Sequence, residues 1–358
     1  MPASGSLVRN MHTFTEILSQ PETWLASQRA LAMDPFFQKA VTTSAARKEW
    51  LFVGCGTSFY LAEAAAASWT LLTGQRARAL PASELLLFPR LSQLEASDLQ
   101  VVVISRSGRT SEAVRAAELL TKKYRLPTIG ITCAKNSELA AACQLTIAIP
   151  SADEQSMVMT RSFTSMLLAL VELAASQSNV GSFSSAIEAV AGSVSARIES
   201  FNARIEEFVA KHTFEDYIYL AQGPFYAIAR EAALKVTEMS CSYAQPYHTL
   251  EFRHGPKSIV SPQTCLTFFL SESGMDDESG VLVEMKALGG TIVAVCNRAS
   301  DAVRAASDLV FEIEADAPEL GLLAPFVVPA QLLGVHTGVK KGFNPDEPKN
   351  LSRVVILD

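Results

Sequence analysis

The feature that most constrains the fold is a series of apolar segments that occurs twice, about 165 residues apart. Four segments of the first half have counterparts in the second. The pairs start at Leu51 and Ile218, Val101 and Leu266, Pro127 and Gly290, and Leu145 and Leu309. The offsets of 167, 165, 163 and 164 residues are close enough to constant to indicate a domain-level duplication. A chain of 358 residues has room for two ordinary domains, so the duplication predicts one fold used twice.

Within each half, short apolar runs alternate with segments of helical spacing. The run from Leu99 to Ile104 is rich in β-branched residues and does not alternate with polar ones, which is typical of a strand buried on both faces of a parallel sheet. Helical patterns over 59–69 and 112–124 follow such runs. Strands that alternate with helices predict an α/β fold, a parallel sheet flanked by helices in each half.

The stretch from Ser176 to Ser185, which contains Gly181 and five serines, is the most linker-like part of the chain. We place the domain boundary within it. The predicted organisation is an N-terminal helical segment at 1–35, a first domain at 36–180, a second at 181–343, and a C-terminal tail at 344–358.

Two hydroxyl-bearing turns come directly after predicted strands. Ser105, Ser107 and Thr110 surround Gly108, and the earlier turn 54–58 has the sequence Gly-Cys-Gly-Thr-Ser. A turn of this kind that enters a helix presents free backbone N–H groups and the positive end of the helix dipole to one spot. The pair predicts a phosphate site at the carboxyl edge of the first sheet. The alternative is that these hydroxyls are ordinary helix caps and turn residues.

The equivalent loop of the second half, residues 271–278, carries four carboxylates. Carboxylates at this density would repel a phosphate. We therefore expect one phosphate site per chain.

The second half also carries residues suited to acid–base chemistry. Lys235 and Glu238 are spaced i, i+3 on a predicted helix over 225–240, and Glu231 and Lys235 are spaced i, i+4, so all three share a face. The alternative is a solvated, salt-bridged face. His254 follows soon after in an Arg-His-Gly-Pro turn. A carboxylate, a lysine and an imidazole together favour proton transfer on a sugar.

Charge, cysteine spacing and hydropathy exclude several classes of protein. The net charge of −7 and a pI near 5.4 argue against nucleic acid as a partner. The six cysteines are scattered without a C-x-x-C pair, so neither a zinc site nor a disulfide framework is predicted. We find no secretory signal and expect no run of about 18 uncharged apolar residues. A cytoplasmic protein with no membrane partner is the expectation.

Six motifs, in order along the chain, resemble the sugar isomerase (SIS) family. The motifs are similar to those of the isomerase half of glucosamine-6-phosphate synthase and of stand-alone amino-sugar-phosphate deaminase/isomerases. The motifs are Cys55-Gly-Thr-Ser58, Ser105-Arg-Ser-Gly-Arg-Thr110, Thr160-Arg-Ser-Phe-Thr164, Ala233-Leu-Lys-Val-Thr-Glu238, Glu251-Phe-Arg-His-Gly-Pro256 and Asn344-Pro-Asp-Glu-Pro-Lys-Asn-Leu-Ser-Arg353.

The resemblance implies two tandem flavodoxin-like SIS domains, a phosphorylated amino sugar as ligand, and a homodimer with shared active sites. It implies that Glu238 moves a proton between C1 and C2, that His254 opens the sugar ring from the neighbouring subunit, and that Lys235 supports the charge. The tail would fold over the site as a lid, and no metal or other cofactor is implied. The substrate-binding residues that it implies are Cys55, Gly56, Thr57, Ser58, Ser105, Arg106, Ser107, Thr110, Thr160, Ser352 and Arg353.

Three departures from the family pattern bear on the activity. The chain starts at Met1-Pro2 with no glutaminase domain, from which we expect no synthesis from glutamine. Arg353 stands where the synthase has a Schiff-base lysine, and a guanidinium does not form an imine. Arg106 and Arg109 replace a glutamine and a glutamate in the phosphate loop.

The expected function is a metal-independent amino-sugar-6-phosphate deaminase/isomerase, which converts a hexosamine 6-phosphate to a ketose 6-phosphate with loss of ammonia. The alternatives are a fructosamine-6-phosphate deglycase, a plain aldose–ketose phosphate isomerase, and a non-catalytic sugar-phosphate sensor.

Overall fold

The structure, a computed structural model, describes residues 8–92, 94, 98–178, 180 and 183–357. The strands of these residues form two five-stranded sheets in which all strands run parallel. The first sheet contains β1 (Glu49–Gly54), β2 (Arg76–Pro81), β3 (Leu99–Ile104), β4 (Thr128–Thr132) and β5 (Leu145–Ala148). The second contains β6 (Asp216–Ala221), β7 (Tyr243–His248), β8 (Thr264–Phe269), β9 (Thr291–Cys296) and β10 (Leu309–Glu312).

The two sheets share one topology. The strand order is β2-β1-β3-β4-β5 in the first sheet and β7-β6-β8-β9-β10 in the second. The second sheet therefore repeats the first, strand for strand, with the order that flavodoxin-like folds use. The predicted duplication and the predicted α/β fold are both confirmed.

Helices connect the strands in both halves of the chain. They are α1 (His12–Leu18), α2 (Gln20–Ala32), α3 (Pro35–Ser44), α4 (Thr57–Thr73), α5 (Ala82–Leu87), α6 (Ser111–Glu118), α7 (Glu138–Ala142), α8 (Arg161–Ser176), α9 (Ser184–Lys211), α10 (Phe225–Ser240), α11 (Met275–Ala287), α12 (Asp301–Ala306) and α13 (Leu323–Lys340). The helix predicted over 112–124 is α6 followed by one π-helical turn at Leu119–Lys123.

Two of the four edge strands, β2 and β7, were not predicted from the sequence. Their sequences, RARALP and YAQPYH, are polar and each contains a proline. All their residues are partly or fully exposed, whereas β3 and β8 are buried throughout. An edge strand needs no continuous apolar run because one of its sides is open.

The described chain divides into two compact units. Unit A contains Glu22–Glu154, Arg161–Glu188 and the chain from Ser352, and unit B contains the chain up to Pro21, Gln155–Thr160 and Ala189–Leu351. Each unit holds one sheet and its own apolar core. The predicted domain limits, including the linker around Gly181, which lies outside the described residues, stay a prediction.

One expectation about apolar runs was wrong. Residues 320–339 contain no charged side chain, and the helical stretch Glu319–Lys340 is long and apolar enough to cross a membrane by composition alone. Its most apolar window is 94% buried inside the protein, with Gln331, His336 and Thr337 among the buried side chains. The stretch is thus packed as a core helix of unit B.

Candidate active site

The phosphate loop, defined here as residues 105–110, follows β3 and enters α6 in unit A. The Ser105 N–H donates to the Ile131 carbonyl at 3.0 Å, and the Gly108 N–H donates to the Ser105 carbonyl at 3.1 Å. The Ser105 Oγ lies 3.3 Å from the Thr110 Oγ1. The loop is therefore a tight turn with converging hydroxyls at a helix N-terminus, an arrangement suited to an anion.

Gly108 is the position at which this turn depends on glycine. Its φ is +63°, and a Cβ there would lie 2.2 Å from the Ser137 Oγ. We expect Gly108→Ala to destabilise the protein by clearly more than about 1 kcal/mol, because backbone strain and a clash add, and to weaken phosphate binding at least about tenfold.

Gly74→Ala is the matched control for that variant. Gly74 has φ +70° with nothing within 4 Å of its Cβ position, so it tests strain alone. Urea unfolding and phosphate titration of both variants check the prediction. Equal affinity for phosphate in the two variants would contradict it.

The second hydroxyl-bearing turn follows β1, the neighbour of β3 in the sheet. Gly56 has φ +53°, and Thr57 and Ser58 start α4 with their side chains largely buried. Burial raises the pKa of the Cys55 thiol to about 12, so this cysteine is a neutral thiol and not a thiolate nucleophile, and its contact with a substrate stays a prediction. The turn lies at the same edge of the sheet as the phosphate loop, as predicted from parallel strands.

Arg106 points into the protein, although it belongs to the phosphate loop. Its side chain is 5% exposed, and its Nη1 lies 3.2 Å from the Oε2 of Glu154, whose side chain is fully buried. The Ser162 N–H and hydroxyl also donate to the Glu154 carboxylate. The charge of Arg106 is thereby balanced within unit A, and its contact with a phosphate stays a prediction.

The tail from Ser352 onward packs in unit A beside the start of α6. The Ser111 N–H donates to the Val355 carbonyl at 3.2 Å, and the Leu357 N–H donates to the Ser111 Oγ at 2.9 Å. Arg353 donates to the Asp153 carboxylate at 3.0 Å and to the Glu154 carbonyl. Arg353 therefore anchors this end of the tail by ion pairing. The roles of Ser352 and Arg353 at a substrate stay predictions.

Two further parts of the predicted site lie in unit B. Thr160 is fully buried, and its contact with a sugar stays a prediction. The tail residue Asp346 accepts the N–H groups of His12 and Thr13 at 2.8 and 2.7 Å. The tail is thereby tied to the start of α1.

The acid–base cluster, defined as Glu231, Lys235 and Glu238, lies on α10. The Lys235 Nζ lies 3.4 Å from the Glu231 Oε1 and donates a hydrogen bond to the Glu238 carboxylate. The side chains of Glu231 and Lys235 are 0% and 1% exposed, and that of Glu238 is 13% exposed. A solvated ion-pair face is therefore excluded.

The charge of Lys235 is fixed by its two neighbours. Burial acts to lower the pKa of Lys235, but Glu231 and Glu238 together outweigh it and the pKa is raised. Lys235 is thus a permanent cation rather than a base. Glu238 is the one member of the cluster with a partly exposed carboxylate, which suits it to meet a substrate.

His254 lies apart from this hydrogen-bonded cluster, on an exposed turn after β7. The turn is anchored by its neighbours, because the Glu284 carboxylate accepts from Arg253 and Lys257 at 2.7 Å each. Gly255 follows with φ +124°. The His254 N–H donates to the Glu251 carbonyl at 2.9 Å. The residue is exposed, and its role in ring opening stays a prediction.

The loop of the second copy is occupied by the protein's own carboxylates. The Glu319 carboxylate accepts both the N–H and the hydroxyl of Ser273, at 2.9 and 2.5 Å. Ser273 is the counterpart of Ser107 at an offset of 166 residues. A carboxylate already uses donors that a phosphate would need, which supports the expectation of one phosphate site per chain.

Glu278, in the same loop, should make the stability of the folded protein depend on pH. Burial raises its pKa to about 7, and its Oε2 has no hydrogen-bond partner within the described ranges. A carboxyl with a raised folded pKa costs stability as pH rises from about 4.5 to 7, by up to about 3 kcal/mol. We expect Glu278→Gln to raise the thermal midpoint at pH 8 but not at pH 4.5. The same shift at both pH values in a thermal melt would contradict this.

Glu231 and Glu154 were not among the predicted site residues. Glu231 shared the spacing of Lys235, but its complete burial was not visible in the sequence. Glu154 pairs with a residue 48 positions earlier. A carboxylate shortly after β5, at the edge where the phosphate loop lies, was the only available signal.

Both halves of the chain are similar to one known domain. The SIS domain profile matches residues 45–176 and 215–337, one match in each half of the chain. A glutamine–fructose-6-phosphate aminotransferase (isomerizing) of Pseudomonas aeruginosa is 25% identical over 98% of the chain. The chain spans 59% of that relative's length. A Streptomyces coelicolor protein, provisionally assigned as a D-galactosamine-6-phosphate deaminase, is 26% identical over 97% of this chain and 93% of its own length.

Solved structures show the same likeness. The glucosamine-6-phosphate deaminase of Thermotoga maritima superposes with a TM-score of 0.77 at 27% identity, over 97% of this chain and all of the other. The tagatose-6-phosphate ketose/aldose isomerase of Escherichia coli has a TM-score of 0.84 at 23% identity over 98% of this chain and 97% of its own, which shows the fold. The resemblance seen in the sequence motifs is confirmed, and the chain belongs to the SIS domain family.

Proposed function

We propose that the protein is an amino-sugar-6-phosphate deaminase/isomerase. The observation that carries the proposal is the buried acid–base cluster, in which a permanent lysine cation holds the partly exposed carboxylate of Glu238. The relative that matches this chain over 93% of its own length bears the name of a deaminase, and so does a solved structure at 27% identity. Both support an activity that ends in loss of ammonia.

In the proposed reaction the phosphate loop binds the 6-phosphate through Ser105, Ser107 and Thr110. Glu238 takes the proton from C2 of the open-chain aldose and returns one to C1 of the enolamine. The product is a C1 alcohol with an imine at C2. Water adds to this imine and ammonia leaves, so one water is consumed for each ketose and ammonia formed.

The other residues have supporting roles in this proposal. Lys235 balances the negative charge beside Glu238 and, with its raised pKa, does not exchange protons itself. His254 assists ring opening. Arg353 forms no imine with the sugar, and none is needed because the substrate brings its own nitrogen. The homodimer with shared active sites and the cytoplasmic location stay predictions.

The test is incubation of the purified protein with glucosamine 6-phosphate, galactosamine 6-phosphate and fructoselysine 6-phosphate, with ammonia, ketose phosphate and free lysine measured in parallel. Ammonia with a ketose 6-phosphate from one amino sugar is the expected result and names the substrate. Free lysine would instead indicate a deglycase. Interconversion of an aldose and a ketose phosphate without ammonia would indicate a plain isomerase, and binding without any turnover would indicate a sensor.

A further inference from the structure

A buried ion pair links the phosphate loop to the body of unit A. Arg106 lies within the loop, and its guanidinium meets the Glu154 carboxylate with both side chains at most 5% exposed. The Arg106 carbonyl is also fixed, because it accepts from the Thr132 hydroxyl at 3.0 Å and from the Cys133 N–H at 2.9 Å. The guanidinium and the backbone carbonyl of Arg106 are thus both held by contacts inside unit A.

Glu154 in turn is seated at the start of α8. The Ser162 N–H donates to its Oε1 at 3.2 Å, and the Ser162 hydroxyl donates to its Oε2. A carboxylate at a helix N-terminus and beside a guanidinium is stabilised as the anion. Since a buried charge is costly without its partner, Glu154 and Arg106 hold each other in place.

Arg106 and Glu154 also contact the end of the tail. The Arg106 Nη2 donates to the Arg353 carbonyl at 3.3 Å, while the Arg353 side chain donates to the Glu154 carbonyl and to Asp153. The Glu154 carboxylate therefore meets the Arg106 guanidinium, and that guanidinium contacts the backbone of the tail.

We propose that Glu154 is a positioning residue that orients the Arg106 guanidinium and thereby sets both the phosphate loop and the contact of Arg106 with the Arg353 carbonyl of the tail. The proposal rests on the proposed function, in that the loop binds the phosphate of a sugar. Glu154 itself touches no substrate. Arg106 acts through the shape of the loop rather than as a free cation at the phosphate.

The direction in which Glu154→Gln changes the affinity for an anion separates this proposal from a purely electrostatic effect of the Glu154 charge. Glu154→Gln removes a negative charge behind the loop, so Coulomb attraction alone would strengthen the binding of an anion. If Glu154 positions the loop, the same change weakens binding, because Arg106 loses its ionic contact with Glu154 and the loop loses its shape. The two accounts therefore predict opposite changes in affinity.

The experiment is calorimetric titration of inorganic phosphate and of fructose 6-phosphate into the full chain, with Glu172→Gln as a control on α8. The control removes a carboxylate that accepts the Phe183 N–H at 2.8 Å. We expect Glu154→Gln to weaken both ligands at least about tenfold, with circular dichroism unchanged and the control within about twofold. Where turnover is measurable, KM should rise by a larger factor than kcat falls.

A double variant keeps the test informative if Glu154→Gln folds poorly. Arg106→Gln with Glu154→Gln removes both buried charges and should recover thermal stability relative to Glu154→Gln alone. Tighter or unchanged binding in folded Glu154→Gln, or a double variant no more stable than that single variant, would overturn the proposal. So would a wild-type protein that binds neither ligand. Binding without turnover in the wild type would overturn the proposed function only, because the affinities remain measurable.

Discussion

Glu238→Gln is expected to lower kcat by about 10² to 10⁴-fold while the dissociation constant for fructose 6-phosphate stays within a few fold of wild type. Gln keeps the shape of the side chain and can still accept from the Lys235 Nζ, but it cannot take a proton from carbon. The measurement is steady-state turnover of the amino sugar phosphate alongside calorimetric titration.

The matched control is Glu207→Gln. Glu207 also pairs with a lysine, Lys211 at i, i+4, but the two side chains are 66% and 64% exposed on α9. This pair should contribute nothing to turnover. Turnover of Glu238→Gln within tenfold of wild type would place the base elsewhere, and loss of binding together with turnover would make Glu238 a binding residue.

Lys235→Met is expected to lower the free energy of unfolding by about 3–5 kcal/mol at pH 7. The substitution keeps the apolar stem and removes the cation, which leaves the carboxylates of Glu231 and Glu238 facing each other where the side chains are 0% and 13% exposed. The loss of stability should be smaller at pH 5 than at pH 7, because protonation of either carboxylate removes the repulsion between them.

Urea unfolding at the two pH values measures this effect, and a second substitution resolves its origin. Lys235→Met combined with Glu231→Gln should recover a large part of the loss, because one of the two neighbouring negative charges is gone. Lys211→Met is the exposed counterpart and should leave the free energy of unfolding almost unchanged. A loss of the same size in Lys235→Met and Lys211→Met would show that the cluster is not buried in solution.

The buried parts of the fold were predictable because burial leaves a local pattern. β1, β3, β4 and β5 are largely apolar runs, and their counterparts recur at a nearly constant offset. β2 and β7 were missed because their sequences, RARALP and YAQPYH, are polar and contain proline. The π-helical turn after α6 was missed as well, because its residues have ordinary helical spacing.

The candidate site was predictable where its chemistry is local in sequence. The converging hydroxyls of the phosphate loop and the spacing of Lys235 with Glu238 both lie within one turn or one helix. The inward direction of Arg106 was not predictable, since it depends on Glu154, 48 residues later. The anchoring of Arg353 by Asp153, 200 residues away, was hidden for the same reason.

The most direct test of proton transfer on a phosphosugar is turnover in D₂O, followed by proton NMR at C1 and C2 of the sugar phosphate. The wild-type protein should convert an amino sugar 6-phosphate and place deuterium on carbon at C1 of the ketose product, and Glu238→Gln should do neither at a comparable rate. Sugar phosphates that bind to the wild-type protein without any conversion or carbon-bound deuterium would contradict the catalytic role of the acid–base cluster.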